Sequence, residues 1–191
     1  RRVLFRSRIA LDMLDEGLID ADTARQRTAQ LDAQALARHK VVSPDGQPLV
    51  PLAQAATACT GVATGEIAFD AERARARQAA GASVILVRRD AETSDLAALE
   101  AAQGLLTQRG ARTSHAAVVA RQLGKVCLVG CAELQLDDAH RSLRLGELTL
   151  KEGDTLTLDG NEGHIYQGAV RTVVDEPVDL LARLAELHAH P

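Results

Sequence analysis

Ser83–Val87, SVILV, is an unbroken apolar run of strand length, and Val126–Val129, VCLV, repeats the pattern. Without polar alternation, such runs read as strands buried on both faces. The surrounding segments fit a layered α/β chain. Gly61–Ile67 and Gly104–Thr107 read as further short strands, and Ala71–Ala80, Asp95–Ala102 and Ala116–Leu123 as helices, with Gly81 and Gly124 placed to end two of them. From Ser142 the text changes to LRLGELTLKEGDTLTLDGNEGHIYQG, with turns at Glu152-Gly153, Asp159-Gly160 and Glu162-Gly163. That alternation predicts an antiparallel meander. Residues 50–175 therefore mix β–α units with antiparallel strands.

The flanks differ. Arg8 to about Arg38 predicts a helical hairpin: Ile9, Leu11, Met13, Leu14 and Leu18 form an apolar stripe, Gly17 stops the first helix, and Asp20 caps a second running through Leu31 and Leu36. Val41–Pro51, with three prolines and an Asp-Gly turn, reads as a linker, and a new helix begins at Pro177. Arg1–Ser7, basic and apolar without periodicity, is set aside as a non-native extension. The expected organisation is thus 1–7 extension, 8–40 helical segment, 41–52 linker, 53–175 main domain and 176–191 the start of a linker helix.

Composition removes several functions. Aromatics are 2%, only Phe5, Phe69 and Tyr166, and the net charge is −4, so neither a base-stacking surface nor a phosphate-backbone grip is available for nucleic acid. Gln47–Gly65 is uncharged but too rich in proline, glutamine and threonine to enter a membrane. Three cysteines, an odd number, fit a reducing, cytoplasmic setting better than a disulfide framework. Cys127 and Cys131 lie in or beside an apolar strand and read as buried thiols, since two cysteines do not close a zinc site; no metal is expected here. His188 and His190, a pair at the chain end, read as solvated.

The stretch that carries chemistry is Gly110–Arg121, GARTSHAAVVAR. It places His115 at the first turn of a helix, behind a glycine loop and two hydroxyl residues, Thr113 and Ser114, that can cap it. Free N–H groups and the positive helix end favour a neutral imidazole and an anion attached to it, as a phosphoryl-accepting nucleophile requires. Spacing alone leaves a second reading, in which His115 merely begins a helix.

The segment TSHAAVVAR, followed by Gly124-Lys125 and Gly130-Cys131, resembles the phosphohistidine segment of the phosphoenolpyruvate (PEP)-utilising enzymes, most nearly in their pyruvate phosphate dikinase branch. RIALDMLDEGLID, VILVR, Glu92-Thr93-Ser94, AAQGLLTQRG and EGDTLTLDGNEGHIYQG follow in that family's order, so the resemblance covers about residues 8–173. It implies a swivelling three-layer β/β/α domain, preceded by a helical hairpin, in which His115 is transiently phosphorylated. In such an enzyme ATP, phosphate and pyruvate become AMP, diphosphate and PEP. The implied partners are an ATP-grasp nucleotide domain and a PEP/pyruvate barrel, in a parent that the resemblance allows to be a homodimer. Mg²⁺ and ATP belong to that parent; this fragment is expected to bind no cofactor and to turn over no ATP alone.

Arg109, Arg112 and Gly110, on the loop, are the supporting candidates for holding a phosphoryl group, alongside Thr113 and Ser114; solvated loop arginines are the alternative. Arg121, six residues beyond His115, lies about 9 Å along the helix and 240° round it, a placement that favours pairing with the helix C-terminus or a carboxylate. Gly110-Ala111-Arg112 stands where the dikinases have Gly-Gly-Met, Cys59-Thr60-Gly61 where they have Ser-Pro-Gly, and Glu-Thr-Ser lacks its following proline. Arg112 is closer to PEP synthase and the phosphotransferase-system enzyme I, so the same carrier domain in either of those enzymes, or a non-catalytic regulatory module retaining the fold, remains an alternative.

Overall fold

The computed structural model describes residues 2–29, 38–43 and 49–189. The chain forms two compact units, Lys40–Val173 and Arg1–His39 with Val174–Pro191.

In the smaller unit, helices α1 (Arg2–Asp15) and α2 (Ala21–Thr28) form the hairpin. The Asp20 carboxylate accepts from the Thr23 N–H at 2.8 Å, capping α2. The expected continuation through Leu31 and Leu36 lies outside the described residues. Arg38–Val42 is a strand, β1, so the helical segment ends before residue 40. Residues 2–7, set aside above, are the first turns of α1. Their apolar period is hidden because Phe5 is exposed while the small Ser7 faces inward. The last described helix packs Leu180 and Leu184 against Leu11.

The larger unit is built from strands β2 (Ala53–Gln54), β3 (Ala56–Cys59) and β4 (Val62–Ala68), helix α3 (Ala71–Ala79), β5 (Val84–Arg88), α4 (Leu96–Ala101) and β6 (Gly104–Thr107). Then follow helix α5 (His115–Gln122), β7 (Val126–Val129), β8 (Leu134–Asp137), β9 (Ser142–Leu145), β10 (Leu148–Lys151), β11 (Thr155–Asp159) and β12 (His164–Gln167). β13 (Arg171–Asp175) pairs with β1, and α6 (Val178–Ala189) closes the chain.

Eight strands form one mixed sheet in the order β2-β12-β11-β4-β5-β6-β7-β3. The neighbours β4, β5, β6 and β7 are parallel. Their crossovers carry α3, α4 and α5, which share one face because a parallel series wound in one direction keeps its right-handed connections on one side. The remaining pairings are antiparallel. β2 and β3, at opposite edges, are one stretch of chain interrupted only at Ala55. The sheet therefore curls until segment 53–59 serves both edges. Gly160 sits at the closure: a Cβ there would lie 2.5 Å from the Cys59 carbonyl oxygen and 3.0 Å from a Val126 methyl, so only glycine lets these backbones approach.

The alternation of the parallel strands produces three layers. Ile85, Val87, Leu106 and Leu128 face a core shared with Leu134, Leu143, Leu145 and Leu150 of the antiparallel sheet β10-β9-β8. Val84, Leu86, Leu105, Cys127 and Val129 face the helices. This is the β/β/α arrangement that the resemblance implies. One expectation needs correction: the region from Ser142 is not one meander, because β9–β10 belong to the small sheet and β11–β12 to the large one. The break falls at Glu152-Gly153, where the Gly153 N–H bonds to the Ile67 carbonyl and steers the chain across. β2, β3 and β8 carried no strand pattern because each is short and sits at a sheet edge, with polar or small residues outward.

Candidate functional site

The parallel strands β5, β6 and β7 end at Arg88, Thr107 and Val129, and the loops that follow gather at their carboxyl ends. The loop after β6 is anchored first. Gln108 and Arg109 N–H groups donate to the carbonyls of Arg88 and Arg89 at 3.0 and 2.8 Å, and the buried Thr107 hydroxyl donates to the Arg109 carbonyl at 2.6 Å. Gly110, at φ 105°, then turns the chain in a conformation that L side chains resist. A tight turn follows, with the Ser114 N–H bonded to the Ala111 carbonyl at 2.9 Å.

Ser114 is the N-cap of α5, in extended conformation, and its hydroxyl accepts from the Ala117 N–H at 3.3 Å. Thr113 is exposed and takes no part in the cap, so of the two hydroxyl residues only Ser114 performs that task. His115 is the first helical residue. Backbone N–H groups at such a start have no intrahelical acceptor. Ala116, Ala117 and Ala120 face the sheet and hold the helix down. At the far end Gly124, at φ 65°, completes the stop: the Lys125 N–H reaches the Ala120 carbonyl at 2.8 Å and the Gly124 N–H the Arg121 carbonyl at 3.3 Å.

His115 is exposed and its imidazole engages no neighbour among the described residues. The other histidines are occupied differently. His140 lies 2.8 Å from Asp137, His164 3.3 Å from the Tyr166 hydroxyl, and His188 3.0 Å from the Thr28 hydroxyl, so His188 is not simply solvated; His190 lies outside the described residues. Cys127 and Cys131 are buried free thiols, and Cys59 a half-buried one.

The arginines separate. Arg112 is exposed, with its guanidinium unengaged among the described residues, three positions before His115. Arg121 does not pair with the helix C-terminus or a carboxylate; its Nη2 reaches back along α5 and donates to the Arg112 carbonyl at 3.0 Å. The length of an arginine side chain overrides the helical angle that the spacing emphasises. Arg109 lines a cavity of about 270 Å³ with Phe69, Val87, Arg88, Arg89 and Leu136. Asp90, Glu92 and Asp138 line the same cavity, so cationic and anionic side chains face each other across it at the strand ends. His115 is not among the residues that line it. Arg88 and Arg89 escaped sequence reasoning. Their signal was the Arg-Arg-Asp that ends the buried VILV run. Arg88 is committed to Asp95 at 3.0 Å and to the Phe69 carbonyl at 2.8 Å.

Among the described residues no group of three or more His, Cys, Asp or Glu could hold a metal ion, and no helix is long and apolar enough to cross a membrane.

Residues 81–163 match the family described as PEP-utilising enzyme, mobile domain. The chain is similar to pyruvate, phosphate dikinase 1, chloroplastic, from Arabidopsis thaliana, with 38% identity over 161 residues, 84% of this chain and 17% of the relative. It is similar to pyruvate, phosphate dikinase of Clostridium symbiosum, with 37% identity over 169 residues, 86% of this chain and 19% of the relative. The dikinase of Entamoeba histolytica gives 40% over 163 residues, 85% of this chain and 18% of that one. The chain thus spans less than a fifth of the length of these relatives. The NMR solution structure of Enzyme I (nEIt) aligns with 56% of this chain and 37% of its own, at 28% identity and a TM-score of 0.31.

Proposed function

We propose that this chain, whose residues 81–163 match the mobile domain of the PEP-utilising enzymes, is the phosphoryl-carrying part of a pyruvate phosphate dikinase-like enzyme, with His115 as the carrier. The observation that supports it most directly is the exposed, unengaged imidazole on the first turn of a helix whose N-cap is Ser114. An imidazole nitrogen there attacks the β-phosphorus of ATP, the bond to the α–β bridging oxygen breaks, and AMP leaves. The γ-phosphoryl passes to inorganic phosphate, giving diphosphate. The remaining N–P bond breaks as the enolate oxygen of pyruvate takes the phosphoryl group, giving PEP. The positive helix end and Arg112 stabilise the charge carried on His115 meanwhile. The domain swivels between an ATP-grasp domain and a PEP/pyruvate barrel of the longer enzyme, in a cytoplasmic or similarly reducing compartment. Magnesium and ATP are expected at the nucleotide domain of that longer enzyme, as the resemblance implies.

The test is phosphorylation of the chain by β-labelled ATP and magnesium in the presence of a nucleotide domain from a dikinase relative. Label should be lost in acid, survive base, and be absent from His115→Asn. Label in that variant, or label that resists acid, overturns the assignment. Alone with magnesium-ATP the chain should release no AMP; His115-dependent AMP formation would mean that a nucleotide site lies within it. Arg112→Met should slow labelling while changing stability by within about 0.5 kcal/mol. Unchanged labelling with a sharp fall in melting temperature would make the arginine structural.

A further inference from the structure

Cys59 ends strand β3, and Cys127 stands directly opposite it on the antiparallel neighbour β7. Residues facing one another across an antiparallel pair project to the same side of a sheet. The packing agrees: Cys127 belongs to the core under the helices, and Cys59 packs against that same core. Cys131 belongs to the core on the opposite face and is separated from both by the sheet. The register shifts between Thr57 and Cys59, so the Cys59–Cys127 pairing is not locked into a regular ladder.

We propose that Cys59 and Cys127 form an oxidisable pair, closed to a cross-strand disulfide by a small-molecule disulfide such as oxidised glutathione and reopened by small thiols. Cys59 is half-buried and is the sulfur that meets the oxidant; Cys127 is enclosed and resolves. Cys59 gives its proton to solvent and attacks one sulfur of the oxidant, expelling one glutathione as thiol. Cys127 then gives up its proton and attacks the Cys59 sulfur, expelling the second. Two protein thiols lose two electrons, and one external disulfide gains them. Burial pushes both thiols up, Cys127 to about 12, where Cys59 adds to the effect; the positive charge of Arg121 works in the opposite direction at both. Arg121 is also the side chain that holds the Arg112 carbonyl before His115, so the pair lies beneath the helix that carries the histidine. The inference does not depend on what His115 does.

The experiment exposes the full chain, under native conditions checked by circular dichroism, to a series of oxidised-to-reduced glutathione ratios, followed by alkylation and peptide mass spectrometry. Alkylatable thiols should fall from three to one, with Cys131 the survivor, a Cys59–Cys127 linked peptide, and a whole-chain mass lower by two hydrogens. Cys131→Ser should behave the same way, and Cys127→Ser should stop at a glutathionyl group on Cys59. Three thiols surviving the most oxidising ratio, a bridge to Cys131, or a glutathionyl group that persists on Cys59 in the unsubstituted chain would each overturn it.

Discussion

The two faces of the large sheet are covered by different materials. Towards the small sheet the core is dominated by leucine: Leu106, Leu128, Leu134, Leu143, Leu145, Leu156 and Leu158 are all nearly inaccessible. Towards the helices it is dominated by alanine, with Ala74 beneath α3, Ala98 and Ala102 at α4, and Ala116, Ala117 and Ala120 along α5. Apolar stabilisation scales with area removed from water, so the leucine side supplies most of it per residue. The alanine side supplies proximity: small side chains let a helix backbone lie close to the strands. The helix with the candidate site is therefore positioned by caps and close contact, on a platform whose stability comes from the other face.

If that division is right, substitutions on the two faces should fail differently. Leu145→Ala should cost about 2–5 kcal/mol in urea unfolding, by lost transfer energy and a cavity, yet the folded fraction should still accept phosphoryl label at a near-normal rate. Ala117→Leu should cost less, about 1–3 kcal/mol by overpacking, but should slow labelling more, because it lifts the start of α5; equal labelling in the two variants would abolish the distinction. Alkali probes the same face without adding volume. Cys127 is raised from 9.0 to about 12 by burial, so below pH 9 its thiol is neutral in folded and unfolded chains alike. Above that the unfolded chain ionises first, and stability should fall by about 1.4 kcal/mol per pH unit until the folded thiol also titrates. Cys127→Ala should flatten that part of the pH–stability curve. Ser114→Ala is the gentlest break, about 1 kcal/mol for the lost cap, and should be visible as faster amide exchange in the first turn of α5 while β5 and β6 are unchanged.

The same contrast explains what could be read without coordinates. SVILV and VCLV announce buried strands because both of their faces meet apolar layers, and α5 was legible from its hydroxyl cap and glycine stop. His115 was legible for the same local reason. The split of the 142–167 alternation between two sheets was not, since a period of two reports which side chains are inward and says nothing about which strand lies alongside. The partner of Arg121 is not legible, because helical angle locates a Cβ whereas its guanidinium ends at the Arg112 carbonyl. Arg109 lies near His115 in sequence, but its share in a cavity with Phe69, Asp90 and Leu136 depends on contacts between distant segments that spacing does not report.

Segment 53–59 pairs at one end with β12 and at the other with β7. During synthesis it leaves the ribosome well before either partner has been made. Its β3 end can pair once β7 is made, but its β2 end must await the chain through residue 167, and until then that edge of the growing sheet is open to other chains. Contacts of such long sequence separation delay folding, because loop-closure entropy is spent before they form. The last closing event also conceals the last edges, so a kinetic delay at 53–59 is the interval in which this molecule is most exposed to aggregation.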